Sequence, residues 1–185
     1  MFTASEKRKE NISEYLLYMW QIEDLIRAND LDIDKIKHNI IDRYDLDPAR
    51  RKELEEWYES LIDMMRREDI QHSGHLQLNK NVIIQLVQLH QALLKDPRFP
   101  EYTRRFYEAL PYIVELRSKA GEDPKGEIET CFNALYGMLM LRLKSKEISP
   151  ATQDAVKKIA AFIALLSHYF HLDEKDLLFK DDEEE

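Results

Sequence analysis

Glu23 and Arg27 stand one helical turn apart inside an apolar arc, and that placement is where chemistry is most plainly written into this chain. On a helical wheel Ile12, Tyr15, Leu16, Met19, Trp20, Ile22 and Ile26 form an arc roughly 160° wide, the width of a core-facing stripe. The two charges point the same way as Leu16 and Met19. Charged side chains are almost never buried without partners, so this pattern predicts an ion pair inside the fold.

Two more polar residues fall on apolar helical faces. Arg142 lies between Leu135 and Met138 on its wheel, and His90 lies between Leu86 and Ile83. Together with Glu23 and Arg27 they make four candidates for an internal polar network, with Glu23 expected between Arg27 and Arg142. Each has a plain structural alternative: an arginine stem lying along apolar surface, an i,i+4 surface pair, a hydrogen-bonded core histidine.

Metal chemistry has a thinner basis. Asp69-x-x-His72 has the Glu-x-x-His spacing of carboxylate-bridged bundles, with His75 nearby, but no second such motif follows. Asp69, His72 and His75 are therefore weak metal candidates beside a reading as exposed helix-end residues, and no cofactor is expected. Nucleophilic catalysis has less: there is no Gly-x-Ser-x-Gly elbow and no phosphate-cradling glycine loop. Cys131, the one cysteine, excludes an intrachain disulfide and reads as a small buried hydrophobe.

Binding is easier to motivate. Phe99, Tyr102, Phe106, Tyr107 and Tyr112 crowd one segment, and a kink at Pro111 would open a groove beside it. Such aromatics are enriched at protein interfaces, although a stripe at helical spacing is also how a core is built.

The elements that must position these residues are helices. Four glycines and six prolines leave few turns, good helix formers dominate, and period-two strand patterns are absent. About seven helices are expected, forming an all-α, compact bundle. Their approximate ranges are 5–28, 33–44, 47–72 with Gly74 as its stop, 79–95, 100–120, 126–146 and 150–171. Gly121-Glu122-Asp123-Pro124 is the clearest loop. No segment recurs at a fixed period, so a helical-repeat solenoid is unsupported. One domain is expected over residues 1–172, followed by an acidic tail, 173–185, partly frayed.

That tail holds eight acidic and two basic residues, so most of the formal charge of −9 resides there. The remainder is nearly balanced and shows no basic stripe, which argues against nucleic acid. No uncharged stretch reaches the 18 or so residues of a membrane span, and no signal peptide is evident, so a cytoplasmic protein is expected.

Three longer strings add a resemblance. Asn11-Ile12-Ser13-Glu14-Tyr15-Leu16-Leu17-Tyr18-Met19-Trp20-Gln21-Ile22-Glu23-Asp24-Leu25-Ile26-Arg27-Ala28 resembles the opening of an uncharacterised bacterial family of domains of unknown function. Ser73-Gly74-His75-Leu76-Gln77-Leu78-Asn79-Lys80-Asn81-Val82-Ile83-Ile84 and Gly126-Glu127-Ile128-Glu129-Thr130-Cys131-Phe132-Asn133-Ala134-Leu135-Tyr136-Gly137 are similar to further parts of it. The resemblance runs from about Asn11 to Tyr169. It implies a single bacterial domain and carries no activity, cofactor or catalytic residue. The function expected is therefore that of a non-catalytic helical interaction or scaffold protein, with a protein partner or a second copy (a homodimer) as its ligand. The alternative is a small-molecule- or metal-binding helical protein, possibly an enzyme, built around the internal polar residues.

Overall fold

Asparagine, aspartate and serine side chains start several of the helices and decide where they break. The computed structural model describes residues 2–121 and 125–179, which fold as eight α-helices without a strand. They are α1 Phe2–Glu10, α2 Ile12–Ala28, α3 Ile33–Asn39, α4 Pro48–Arg67, α5 Gln77–Lys95, α6 Pro100–Lys119, α7 Glu127–Leu143 and α8 Pro150–Asp173. The loop residues 122–124 and the acidic end 181–185 singled out from the sequence lie outside the described residues.

The difference between about seven helices and eight arises at Asn11. Its Oδ1 accepts from Ser13 N at 3.0 Å, an N-cap that ends α1 and starts α2 where periodicity suggested one long helix. Asp47 caps α4 through Ala49 N and Arg50 N, with Pro48 in the first turn. Ser149 does the same for α8 through Thr152 N, with Pro150 following it. Helix α4 stops earlier than expected. Asp69, not Gly74, takes the left-handed turn (φ 55°), and Ile70 N closes back on Met65 O at 3.0 Å. Gly74 has a positive φ of its own, 91°, inside the loop that follows. Pro111 sits within α6 without ending it.

The helices group into two compact units, Met1–Glu10 with Glu14–Val82, and Asn11–Ser13 with Ile83–Glu185. In the first unit Leu16, Trp20, Ile26, Ile36, Ile41, Met65 and Leu76 are fully buried. In the second, α6 packs most extensively on α8, and α7 packs on both. Its core is aromatic: Tyr102, Phe106, Phe132 and Phe162, with Leu86, Ile159 and Leu166. Burying an aromatic or branched side chain is worth roughly 1.5–3 kcal/mol, so these faces, and not helix propensity, hold the elements in place.

Candidate functional site

Glu23 is fully buried (0% exposed), yet its partners are not arginines. Its carboxylate accepts from three N–H groups that all come from the stretch after α4. Leu76 N donates to Oε1 at 3.0 Å, Asn79 Nδ2 donates to Oε1 at 2.7 Å, and His75 Nδ1 meets Oε2 at 2.6 Å. The His75 ring lies flat on Trp20, with centroids 4.0 Å apart and planes 13° from parallel. An ionised carboxylate only accepts hydrogen bonds, so the Asn79 amide must turn Nδ2 toward it and leave Oδ1 on the other side.

Arg27, one turn further on, grips the same loop by its carbonyls. Its guanidinium donates to Ile70 O (3.2 Å from Nη2), to Gly74 O, and to Asp24 Oδ1 at 3.0 Å. The pair at i and i+4 does act together, through the loop and not through each other. Glu23 takes the backbone N–H of Leu76 and the side-chain N–H groups of His75 and Asn79, and Arg27 takes the carbonyls of Ile70 and Gly74. The ends of this loop, Ile70 and Leu76, are buried and need their backbone polar groups satisfied, and two opposite charges on one helical face supply both kinds of partner. That is the physical reason the apolar arc of α2 carries them.

Arg142 is corrected by the structure. It is exposed in the last turn of α7, so it is not the buried cation expected at Glu23. Its long stem lets the head reach water from a position that reads as apolar on a wheel. The weak metal set does not assemble either. Asp69 and His72 are exposed, His75 has its Nδ1 on Glu23, and no group of three His, Cys, Asp or Glu among the described residues is placed to hold a metal ion. What remains chemically is one imidazole, 26% exposed, with its Nδ1 side held by a buried carboxylate and its other nitrogen uncommitted. A carboxylate of this kind fixes a histidine's tautomer and ring orientation.

His90 is buried in the second unit as a separate polar centre. Its Nδ1 meets Tyr102 Oη at 2.7 Å and its Nε2 lies 3.6 Å from Glu127 Oε2. Phe106 and Phe162 pack edge-on to the ring at 4.8 and 5.6 Å. Burial lowers the His90 pKa, and the nearby Glu127 opposes that only in part. The same surroundings push the Tyr102 hydroxyl and the Cys131 thiol up, in both cases chiefly by burial. Cys131 is thus an inert core residue.

The lowered pKa of His90 has a consequence for stability. The folded protein favours neutral imidazole, so unfolding takes up a proton at acid pH. The contribution is complete above the unfolded value of about 6.5 and is lost as the pH falls toward the lowered folded value. Thermal melts at pH 7.5 and pH 5 are expected to show a smaller acid-induced drop in Tm for His90→Gln than for the parent. An equal drop would mean His90 titrates alike in both states.

The aromatic segment divides. Phe99, Tyr102 and Phe106 are buried, part of the core and not of an exposed interface. They face inward because α6 lays that side on α8, where Phe162 and Tyr169 meet Tyr102 at 5.5 and 5.9 Å. Tyr107 is 61% exposed, and Tyr112 is half-buried with its hydroxyl donating to Asp154 Oδ2 at 3.1 Å.

Tyr112 also lines a groove of about 370 Å³ between α6, α7 and α8. Leu116 and Leu141 wall it, and Ala134, Gly137, Ala151 and Ala155 are the small residues along it. Gly137 is the informative one. It stands inside α7, where glycine costs roughly 1 kcal/mol relative to alanine, and a Cβ built on it meets nothing within 4 Å. No contact among the described residues requires that residue to be small. The sequence holds this signal, a lone glycine inside a 17-residue helix, but only the packing shows that open space lies beside it.

No curated protein and no solved structure matches the chain. One family model does, over residues 1–176, a span that contains the Glu23 loop contacts, the His90 centre and the groove alike. The chain belongs to the family described as Domain of unknown function (DUF4924).

Proposed function

We propose that this protein is a non-catalytic, cytoplasmic interaction module, and that the α6–α7–α8 groove is its docking face for an apolar helical stripe of a protein partner. The observation that carries this reading is Gly137: a helix-weakening residue beside open, apolar-walled space, with no neighbour among the described residues that requires it to be small. Small residues along a groove let another backbone approach closely. Four residues of α7, Ala134, Gly137, Met138 and Leu141, line two turns of it, which matches anchors at i, i+4 and i+7 of an entering helix.

The test uses a synthetic 18-residue helical peptide with leucines at i, i+4, i+7 and i+11 and glutamine elsewhere. Titrated into the ¹⁵N-labelled full chain, it is expected to shift amide signals of residues 134–141 and 151–156 saturably. Gly137→Trp should abolish those shifts while leaving the melting temperature within about 2 °C, since the site is open and exposed substitutions rarely exceed ±0.5 kcal/mol. Absence of binding, or shifts that survive Gly137→Trp, would overturn the reading. Light scattering addresses the second possible occupant: a mass near twice 22.1 kDa that Gly137→Trp returns to the monomer identifies a homodimer through this face.

A further inference from the structure

We infer that His171 is an acid-sensitive clasp: as neutral imidazole it holds the first turn of α2 to α8, and on taking up a proton it lets go. The need for such a clasp arises at Ile12. The first N–H groups of a helix have no acceptor inside it, and Ile12, which opens α2, is fully buried. Asn11 Oδ1 serves the next residue, Ser13. The Ile12 N–H donates instead to His171 Nε2, at 3.2 Å. A peptide N–H can only donate, so this ring nitrogen must carry its lone pair. The ring proton then sits on Nδ1, which lies 3.3 Å from Glu174 Oε2. Ile12, Ser13 and His171 all belong to the second unit.

A neighbouring bond holds the same turn without titrating. Ser167 Oγ donates to Ile163 O at 2.9 Å, so in its contact with Ser13 Oγ the Ser13 hydroxyl is the donor. His171 behaves differently. A second proton on the ring sets N–H against N–H at Ile12, and a buried donor left without an acceptor is the costly case. Glu174 stays available as counter-ion, and the last turn of a helix favours a cation, so the charged ring has partners once Ile12 is released. Other charges around the contact are few. Along α8 they are the exposed His168, Asp173 and Lys175, and α5 presents Gln85 and Gln88 to the hollow that Glu174 lines. Glu10 and Glu14, which flank Ile12 in the chain, are exposed, and Glu14 pairs with Lys7 at 2.7 Å. The contact is therefore complete while the imidazole is neutral and is lost as the pH falls through the histidine range.

The test is hydrogen exchange followed by NMR on the ¹⁵N-labelled full chain. At about pH 8 the His171 ring is expected as the Nδ1–H tautomer, with Nε2 unprotonated. Between about pH 8 and about pH 5 the Ile12 amide should lose protection at least about tenfold, in step with protonation of that ring. The Phe162 amide, in the middle of α8, should keep its protection. His171→Gln places an amide oxygen near the Nε2 position and does not titrate, so the loss at Ile12 should shrink below about twofold. A ring protonated on Nε2 alone at about pH 8 would overturn the clasp. So would an Ile12 amide equally protected at both pH values, or a loss that persists in His171→Gln. A loss shared by Phe162 reports unfolding of the whole unit and overturns it too. Should His171→Gln fail to fold, the parent decides the matter, through its tautomer and through whether the Ile12 loss follows the His171 ring.

Discussion

Glu23→Ala is expected to lower stability by about 3–5 kcal/mol, or roughly 6–20 °C in Tm for a chain of this size. The magnitude follows from what the carboxylate holds. Removing it leaves Leu76 N–H and the Asn79 amide buried without an acceptor, each worth about 1–3 kcal/mol. The His75 imidazole loses its partner as well, and a space opens beside Trp20. Glu23→Gln keeps the volume and one acceptor oxygen, so about 1–2 kcal/mol is expected. Its amide nitrogen turns a donor toward His75, which must then accept. Urea or thermal unfolding of the three proteins checks the order: parent, then Gln, then Ala. An Ala variant that melts with the parent would show that Arg27 and apolar contacts hold the loop 70–76 without Glu23.

The second large effect separates core from interface on α6. Phe106→Ala is expected to cost about 3–5 kcal/mol, whereas Tyr107→Ala, its neighbour in sequence, should stay within about 0.5 kcal/mol. Phe106 is 5% exposed, with His90 at 4.8 Å and Phe162 at 5.5 Å. Removing its ring leaves a void among aromatic groups that cannot collapse freely. Tyr107 lies tilted against Phe106, with centroids 5.5 Å apart, but most of its surface is already in water. Far-UV circular dichroism melts of both variants decide the matter. Equal losses would place Tyr107 in the core, and equal tolerance would return the aromatic stripe to a binding role.

Both expectations bear on how function is divided within the chain. The Glu23 carboxylate is tied to N–H donors and the His90 ring to a hydroxyl and aromatic edges, which is how a fold satisfies polar groups it cannot expose. The groove is the opposite case, apolar surface left facing water with a glycine beside it. The polar centres are internal to the packing, whereas the groove is open apolar surface, which is the contrast that the proposed docking role rests on. The second unit holds the groove, and its aromatic core keeps the three helices that form it in register.

Much of this was legible in the residues before any coordinates. The scarcity of glycine and proline, the 3.6-residue periodicity and the Asp47-Pro48 and Ser149-Pro150 starts specify an all-helical chain and most of its boundaries, because such signals act over one or two turns. The anomaly of Glu23 and Arg27 on an apolar face was likewise local and readable. Their partners were not. The backbone N–H groups and carbonyls they hold belong to residues 70–76, which carry no periodic pattern, and which donor meets which acceptor depends on how a loop folds against a helix about 50 positions away. Arg142 reads as buried on a wheel because a wheel ignores the length of an arginine stem. The open space beside Gly137 needed three helices brought together, since empty space is a property of neighbours and no single segment encodes it. Sequence determined the elements and their apolar faces. Tertiary packing decided which polar atoms answer each other and where a surface is left open.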